Sequence, residues 1–311
     1  MIKRTICIEN ACFLKFSNQQ MVVSYSHIKG LEDKPDKYVS IEDLGMLVLE
    51  HQQISLTHYL LDKLVSANVA VITCNESHHP TGLLMPLESN TLQCERFRAQ
   101  IEASEPLKKQ LWQQTVKAKI SNQAAVLKKW GAKYHLLSNL ANSVKSGDAD
   151  NHEAVAALHY WQNLFPPAWN FYRKRDGTPP NNLLNYGYAI VRAGMARAIV
   201  GAGMLPTLGI FHRNRYNAYC LADDLMEPYR PYVDMIVRAI IDKTSDVDQL
   251  TSELKVELLK IPNLDVMLAG EKSPLMLAMQ RTAVSVAKCY AGEQRKILLP
   301  VLLNDSEAED E

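Results

Sequence analysis

The hydrophobic pattern of this 311-residue chain changes once, near residue 84, and this change most constrains the fold. Residues 1–84 contain short runs rich in Val, Ile and Phe, separated by polar turns, as is typical of β-strands. One helix is expected within this part, where apolar residues follow a helical spacing between residues 56 and 65. From about residue 92 the apolar spacing is helical throughout. The pattern predicts an α+β, two-domain protein in which a small β-rich, sandwich-like domain precedes a larger all-α domain.

The length of the chain also suits two domains. We expect an N-terminal β-rich domain at residues 1–84, a linker at 85–91 and a helical domain at 92–304. Residues 305–311 read DSEAEDE, with five acidic residues and no basic ones. Such low hydrophobicity predicts a disordered tail.

Composition excludes several classes of protein. No run of eighteen apolar residues is present, so a membrane span is not expected, and the N-terminus has no cleavage site of a signal peptide. None of the cysteines forms a CxxC pair, which argues against a zinc ribbon. Without a secretory signal, we expect reduced thiols in a cytoplasmic protein. The six cysteines are Cys7, Cys12, Cys74, Cys94, Cys220 and Cys289.

The formal net charge is zero, but the charges are unevenly distributed. Residues 92–133 contain nine Lys or Arg and three acidic residues, and further basic clusters lie at 173–175 and between 192 and 215. A run of charge is commonly a solvated face. Three basic clusters in the helical half of the chain nevertheless favour contacts with phosphates.

The segment LADDLMEPYRP, residues 221–231, contains the most specific chemistry. Asp224 and Glu227 are three positions apart, so their carboxylates share one face of a helical turn. His212 precedes Asp224 by twelve residues. Carboxylates with one imidazole suit Mg²⁺ or Mn²⁺. The alternative is an acidic pair on a solvated helix face or in a salt-bridge network.

Two prolines argue against a smooth helical surface there. Pro228 and Pro231 are compatible with a helix only at its first turn or at a kink, so the carboxylates should lie at a helix start or break. Upstream, Glu153 should lie in the first turn of a helix that Asp150 or Asn151 caps. A carboxylate in a first turn is common because it interacts favourably with the helix dipole, so Glu153 has a structural alternative on position alone.

Other polar groups remain ambiguous. His78 and His79 are adjacent and face different directions in an extended chain, so both cannot easily bind one ion. Their loop is expected to contact DNA or a domain interface. Tyr186 and Tyr188 could stack on a base or pack in the core.

Five segments occur in order along the chain: HPTGLLMPL at 79–87, LWQQTVKAKISNQAAVL at 111–127, HEAVAALHYW at 152–161, NNLLNYGYAIVRAGMARAIVGAGMLPTLGIFH at 181–212 and the run through LADDLMEPYRP. Together they resemble the CRISPR spacer-acquisition integrases, most closely the compact version of type II systems. These are metal-dependent DNA nucleases that insert short DNA segments into a repeat array.

The resemblance implies a set of site residues. Its metal ligands fall on Glu153, His212 and Glu227, with Asp224 as an additional catalytic-site group outside the ligand set. Asp223 remains an alternative to Asp224. For DNA contacts we expect Lys117, Lys119, Tyr186, Arg192, Arg197, Arg213 and Arg215.

The resemblance further implies that the helical domain is catalytic and uses Mg²⁺ or Mn²⁺. It also implies that this domain joins a 3′-hydroxyl of incoming DNA to a phosphodiester of the repeat by transesterification. The implied partners are DNA, a second copy of the chain that pairs through the β-rich domain, and a small ferredoxin-like CRISPR-associated protein. The alternatives are a structure-specific, metal-dependent DNA nuclease and a non-enzymatic helical DNA-binding scaffold.

Overall fold

The computed structural model describes residues 3–26, 28–244 and 246–302. The chain divides into two compact units, Met1–Thr91 and Leu92–Glu311. The first unit is rich in strands and the second is mostly helical, which confirms the predicted α+β fold class. The acidic tail at 305–311 lies outside the described residues. Within the described ranges, no helix combines the length and apolar character needed to cross a bilayer.

The described residues of the N-terminal unit form two four-stranded sheets and one α-helix. In one sheet the strand order is β1-β5-β7-β8, with β1, β5 and β7 parallel and β8 antiparallel. In the other the order is β4-β3-β2-β6. The elements are β1 Arg4–Ile8, β2 Cys12–Ser17, β3 Gln20–Ser24, β4 Lys37–Ser40, β5 Leu44–Leu49, β6 Ile54–Leu56, α1 His58–Ser66, β7 Ala70–Cys74 and β8 Pro80–Leu84.

One apolar core joins both sheets and α1. Alternate residues of a strand point to opposite faces, so Leu14, Leu47 and Val71 bring β2, β5 and β7 into this core. Leu60 and Leu64 of α1 pack against them. The core therefore explains why short strands separated by polar turns fold into two layers.

The second unit is built around the 25-residue helix α3. It also contains a two-stranded antiparallel hairpin, β9–β10, within the part that the sequence predicts to be helical throughout. The elements are α2 Gln93–Glu102, α3 Glu105–Lys129, α4 His135–Ser143, α5 His152–Leu164, α6 Asn181–Gly201, α7 Cys220–Met226, α8 Arg230–Ile241, α9 Ser252–Leu259, β9 Asp265–Leu268, β10 Glu271–Pro274 and α10 Leu275–Tyr290.

The side chain of Asn122, buried on α3, ties two distant segments together. Its Nδ2 donates to the carbonyl of Pro228 at 2.8 Å and to the carbonyl of Pro300 at 3.0 Å. Its Oδ1 accepts a hydrogen bond from the amide of Leu302 at 3.0 Å. One carboxamide thus holds the chain beyond α10 against the break between α7 and α8.

Candidate metal and nucleic-acid site

Side chains from α3, from α5 and from the break between α7 and α8 meet in one place. The ammonium Nζ of Lys119 lies 2.6 Å from Oε1 of Glu153 and 2.5 Å from Oε2 of Glu227. All three side chains are largely withdrawn from solvent, and the Glu227 side chain is 7% exposed. We call these three residues the carboxylate–lysine cluster. It brings together two of the three predicted metal ligands.

The start of α5 positions Glu153. The carboxylate of Asp148 accepts hydrogen bonds from the amides of His152 at 2.9 Å and Glu153 at 3.0 Å. It thereby satisfies two amide donors at the helix start that have no partner within the helix. The side chain of Asn151, the residue before α5, makes no capping hydrogen bond. Asp148, rather than the expected Asp150 or Asn151, therefore caps the helix.

A break between α7 and α8 positions Glu227, as the two prolines predict. Glu227 begins a short 3-10 turn between the helices, and Pro228 and Pro231 are the second residues of that turn and of α8. Nε of Arg230 lies 2.9 Å from Oε1 of Glu227. Each oxygen of the Glu227 carboxylate consequently faces a cation.

His212 is held by Asp224. Nδ1 of the imidazole lies 2.5 Å from Oδ1 of Asp224, whose side chain is fully buried. The backbone amide of Phe211 donates to Oδ2 of the same carboxylate at 2.8 Å. Because Nδ1 is engaged with Asp224, Nε2 is the ring nitrogen that remains for an external ligand.

The loop before His212 requires close packing. A Cβ atom added to Gly209 would lie 2.4 Å from the carbonyl oxygen of His212 and 2.8 Å from Oδ2 of Asp224. Beyond it, the ring of Phe211 stacks on the buried Trp112 of α3, with ring centroids 4.5 Å apart. Glycine on one side and the stacked rings on the other thus fix the His212 loop.

The electrostatics favour the ionised forms of Glu227, His212 and Lys119. Burial opposes ionisation of Glu227, but Arg230 and Lys119 outweigh it, and the pKa of Glu227 lies below its usual value. The hydrogen bond to Asp224 raises the pKa of His212. Burial lowers the pKa of Lys119, but Glu227 and Glu153 more than compensate, so it lies above its usual value.

Behind the cluster, Arg230 continues into a buried polar network. Its guanidinium lies 4.6 Å from the ring centroid of Tyr188. The hydroxyls of Tyr188 and Tyr160 both donate to the carboxylate of Asp234. Burial raises the pKa of Asp234 to about 7. Tyr188 is therefore a core residue with a polar role.

Asp223 and Asp224 point to different partners. Asp223 accepts hydrogen bonds from Nε of Arg192 and from Nδ2 of Asn217, each at 2.7 Å. Asp224 contacts His212. Of the two carboxylates that the sequence leaves as alternatives, Asp224 is the one that adjoins the proposed ligands.

The residues expected to contact DNA separate into two groups. Lys117, Arg213 and Arg215 are exposed, and Arg192 is partly exposed. Lys119, Tyr186 and Arg197 are buried, at 9%, 0% and 6% exposure. Because these three side chains are buried, they do not belong to an exposed basic surface, and their contacts with DNA stay predictions.

Two exposed cations already have protein partners. Arg213 pairs with Glu105 at 2.6 Å, and the guanidinium of Arg215 lies 4.6 Å from the ring centroid of Tyr216. Both pairs lie at the surface, where such contacts contribute little to stability. They can therefore be exchanged for phosphate contacts.

Sequence reasoning missed the position of Lys119 between the carboxylates. A signal was present, because Trp112, Val116 and Lys119 follow the spacing of one helix face and the first two are apolar. A lysine on an apolar face commonly indicates a buried ion pair.

The distances between the metal-ligating atoms show which side chains are already close enough to share one ion. The described residues contain one set of three metal-ligating side chains whose donor atoms all lie within 4.8 Å of one another: Cys7, Glu9 and Glu50. The donor atoms of Glu153, His212 and Glu227 are therefore farther apart. The Lys119 ammonium lies between the two carboxylates.

Comparisons with known proteins agree with one another. The family model described as CRISPR associated protein Cas1 matches residues 6–249. The chain is 32% identical over 306 residues to a CRISPR-associated endonuclease Cas1 of Neisseria meningitidis, covering 97% of both chains. A second CRISPR-associated endonuclease Cas1, from Saccharolobus solfataricus, is 29% identical over 245 residues, covering 76% of this chain and 75% of that protein.

Solved structures show the same fold. A casposase bound to integration product has a TM-score of 0.77 at 20% identity, covering 96% of this chain and 92% of that one. A Cas1 protein from Thermotoga maritima has a TM-score of 0.71 at 16% identity, covering 97% of this chain and 100% of that one. The resemblance predicted from the sequence motifs is confirmed, and the chain belongs to the CRISPR-associated Cas1 family.

Proposed function

We propose that the chain is a metal-dependent DNA integrase and endonuclease that inserts short DNA segments into a CRISPR repeat array. The observation that carries this proposal is the convergence of Glu153 and Glu227 on one cation, beside a histidine that a buried carboxylate orients. The relatives named as Cas1 endonucleases and the casposase with its integration product support the same chemistry.

The donor set fits a hard divalent cation. Glu153 and Glu227 each supply carboxylate oxygen, and His212 supplies Nε2, a combination that suits Mg²⁺ or Mn²⁺. When bound, such an ion would neutralise phosphate charge and activate the attacking hydroxyl. Asp224 holds the histidine ring in orientation, and Arg230 helps to keep Glu227 ionised.

The reaction is a transesterification. The 3′-hydroxyl oxygen of the incoming DNA forms a bond to phosphorus, and the bond from phosphorus to the 3′ oxygen of the repeat strand breaks. The attacking hydroxyl loses one proton, and the released 3′ oxygen of the repeat strand takes one up. Exposed basic residues such as Lys117 and Arg213 would hold both DNAs in line, which supplies the positional part of the rate.

We also propose DNA, a second copy of the chain and a small ferredoxin-like CRISPR-associated protein as partners. Structures of the same fold include a Cas6-RT-Cas1–Cas2 complex and a Cas1 protein in complex with DNA, which supports the first and third of these partners. We further propose a cytoplasmic location for the chain.

The test is an integration assay with repeat DNA, a short duplex donor, the ferredoxin-like partner and Mn²⁺. We expect Glu153→Ala, His212→Ala and Glu227→Ala each to reduce joined product by more than about 100-fold, since outer partners of a metal ligand alone account for about 10- to 100-fold. Glu257→Ala is the matched control, because Glu257 is half-exposed and paired with Lys260.

Two outcomes separate the alternatives. Cleavage without joining, and without preference for the repeat, would identify a structure-specific nuclease instead. Full joining activity in any of the three site variants would rule out the proposed mechanism.

A further inference from the structure

A second group of metal-ligating side chains lies in the N-terminal unit, at the carboxyl end of its parallel strands. Glu9 directly follows β1 and Glu50 directly follows β5, and these two strands are parallel neighbours. Parallel strands bring their carboxyl ends to the same edge of a sheet. The amide of Glu50 donates to the carbonyl of Ile8 at 3.1 Å, which fixes Glu50 beside the end of β1.

Cys7 adds a thiol to this edge. It belongs to β1 and points away from the core that Ile6 and Ile8 contact, because side chains alternate along a strand. Its Sγ donates to Oε2 of Glu50 at 3.5 Å. The Sγ atom and carboxylate oxygens of Glu9 and Glu50 all lie within 4.8 Å of one another.

His78, in the loop between β7 and β8, places an imidazole beside Glu50. Its Nδ1 lies 2.9 Å from Oε1 of Glu50. The loop is tightly hydrogen-bonded: Oδ1 of Asn75 accepts from the amides of Ser77 at 3.1 Å and His79 at 2.9 Å. His78 has a left-handed backbone, with φ of 62°. The structure thus singles out His78 of the adjacent histidines that the sequence leaves unassigned.

We propose that Cys7, Glu9, Glu50 and His78 form a second cation site, specific for Zn²⁺. One sulfur, one imidazole nitrogen and two carboxylates are four ligands of the types that zinc accepts in tetrahedral sites. Thiolate is a soft ligand that selects against Mg²⁺ and Mn²⁺. This site uses no residue of the helical unit and does not depend on the proposed integrase activity.

The charges of the site also suit a divalent cation. Glu50 is buried at 3% exposure, and Glu9 is partly buried. Burial, together with Glu50 and Glu9, raises the pKa of the Cys7 thiol. When zinc binds, the sulfur–zinc bond forms and the thiol proton passes to solvent. The bound ion would link the ends of β1 and β5 to the β7–β8 loop.

Cobalt spectroscopy on the full-length, chelator-treated chain tests the thiol ligand directly. Titration with Co²⁺ should give a thiolate-to-cobalt charge-transfer band that Zn²⁺ abolishes by displacement. The band should disappear in Cys7→Ser and persist in Cys94→Ser, where the replaced cysteine is exposed on α2. Because Glu153, His212 and Glu227 include no thiol, binding there cannot produce the band. Absence of the band, or its persistence in Cys7→Ser, would overturn the proposal.

A stability measurement tests the histidine ligand. In a His212→Ala background, which weakens the helical site, one equivalent of Zn²⁺ should raise the melting temperature. Adding His78→Asn should abolish this shift, and asparagine tolerates the left-handed backbone at that position. Adding His135→Asn instead, at the start of α4, should preserve it. An equal zinc-induced shift in the two double variants would count against the site.

Discussion

Lys119 lies in the interior on α3. The distribution of basic residues along the sequence instead predicts a surface position for it. The buried carboxylate of Glu227 and the partly buried carboxylate of Glu153 would oppose folding unless a cation accompanied them. The ammonium of Lys119 supplies that cation for Glu153 and shares the neutralisation of Glu227 with Arg230. The protein can therefore fold without metal, and a divalent ion must compete with an internal cation.

Lys119→Met should separate these two effects. Methionine fills a similar volume without charge, so breaking the buried pairs should lower metal-free stability by about 3–5 kcal/mol. With the competing ammonium removed, the increase in melting temperature on adding Mn²⁺ should exceed that of the unmodified chain. Thermal unfolding with and without Mn²⁺ measures both. Lys117→Met, exposed on the same helix, is the control, and a smaller Mn²⁺ effect in Lys119→Met would show that the ammonium does not compete.

Asp224 sets the protonation of His212. Because the hydrogen bond to Asp224 raises the pKa of His212, the ring remains protonated to a higher pH than an ordinary histidine. Metal binding needs a neutral ring nitrogen. As the pH falls, Mn²⁺ affinity should therefore begin to decline at a pH above about 6.5, which is the ordinary pKa of histidine.

Asp224→Asn should shift this decline to lower pH and weaken Mn²⁺ binding by about 10- to 100-fold at neutral pH. The loss should be smaller than that of Glu227→Gln, which changes a direct ligand. Calorimetric titration of Mn²⁺ across the pH range measures both effects. An unchanged pH dependence in Asp224→Asn would show that this carboxylate does not control the histidine.

Among the helices, α5, α6 and α8 are joined by a buried polar contact as well as by apolar packing. Tyr160 of α5 and Tyr188 of α6 both donate to Asp234 of α8, and Tyr188 also faces Arg230. Arg230 in turn contacts Glu227. The packing of three helices is thereby coupled to the orientation of one proposed metal ligand.

Asp234→Asn should change the pH dependence of stability. The pKa of Asp234 is raised from 3.8 to about 7, so the folded state holds a proton that the unfolded state loses. The stability from this group is complete below the unfolded pKa and is lost as pH rises through the folded pKa. Between pH 4 and 7 the unmodified chain should lose up to about 1.4 kcal/mol per pH unit relative to Asp234→Asn. Urea unfolding at several pH values measures this difference, with Asp242→Asn as control; parallel curves for the unmodified chain and Asp234→Asn would contradict it.

The elements differ in how far their sequence predicts them. The prolines at 228 and 231 predict the break at Glu227, since their backbone restriction acts locally. The cap of α5 could not be chosen from sequence, because Asp148, Asp150 and Asn151 are all suitable cap residues. The β9–β10 hairpin was missed because its turn, Ala269-Gly270, has Ala with φ of 55° in place of the Asn or Asp that usually marks such turns.

The buried partners of the site were the least predictable. Glu153, His212 and Glu227 stand out as residue types that bind metal, so motif similarity locates them. Lys119 acquires its role only when α3 packs beside α5 and the α7–α8 break, and such packing is a tertiary property. The same limit applies to Cys7 and His78, which lie far apart in the chain and each contact Glu50 at a sheet edge.

For the whole molecule, the C-terminal segment is part of the helical fold. Ile297 donates to Gln114 at 2.9 Å, and Leu302 donates to Asn122 at 3.0 Å, so this segment is attached along α3. Truncation after residue 296 should lower the melting temperature by several degrees. Truncation after residue 304 keeps both of these contacts, so it should leave the melting temperature unchanged. Differential scanning calorimetry of both forms tests this. Equal melting temperatures would show that the segment contributes nothing to folding.

The Asn122 contacts also bear on the order in which the chain can fold. Asn122 bonds the residue next to Glu227 and, 178 residues later in the chain, the carbonyl of Pro300. Contacts between residues so far apart in sequence form late, because the entropy of closing a long loop must be overcome first. The surroundings of Glu227 would therefore be completed only after most of the helical unit has folded.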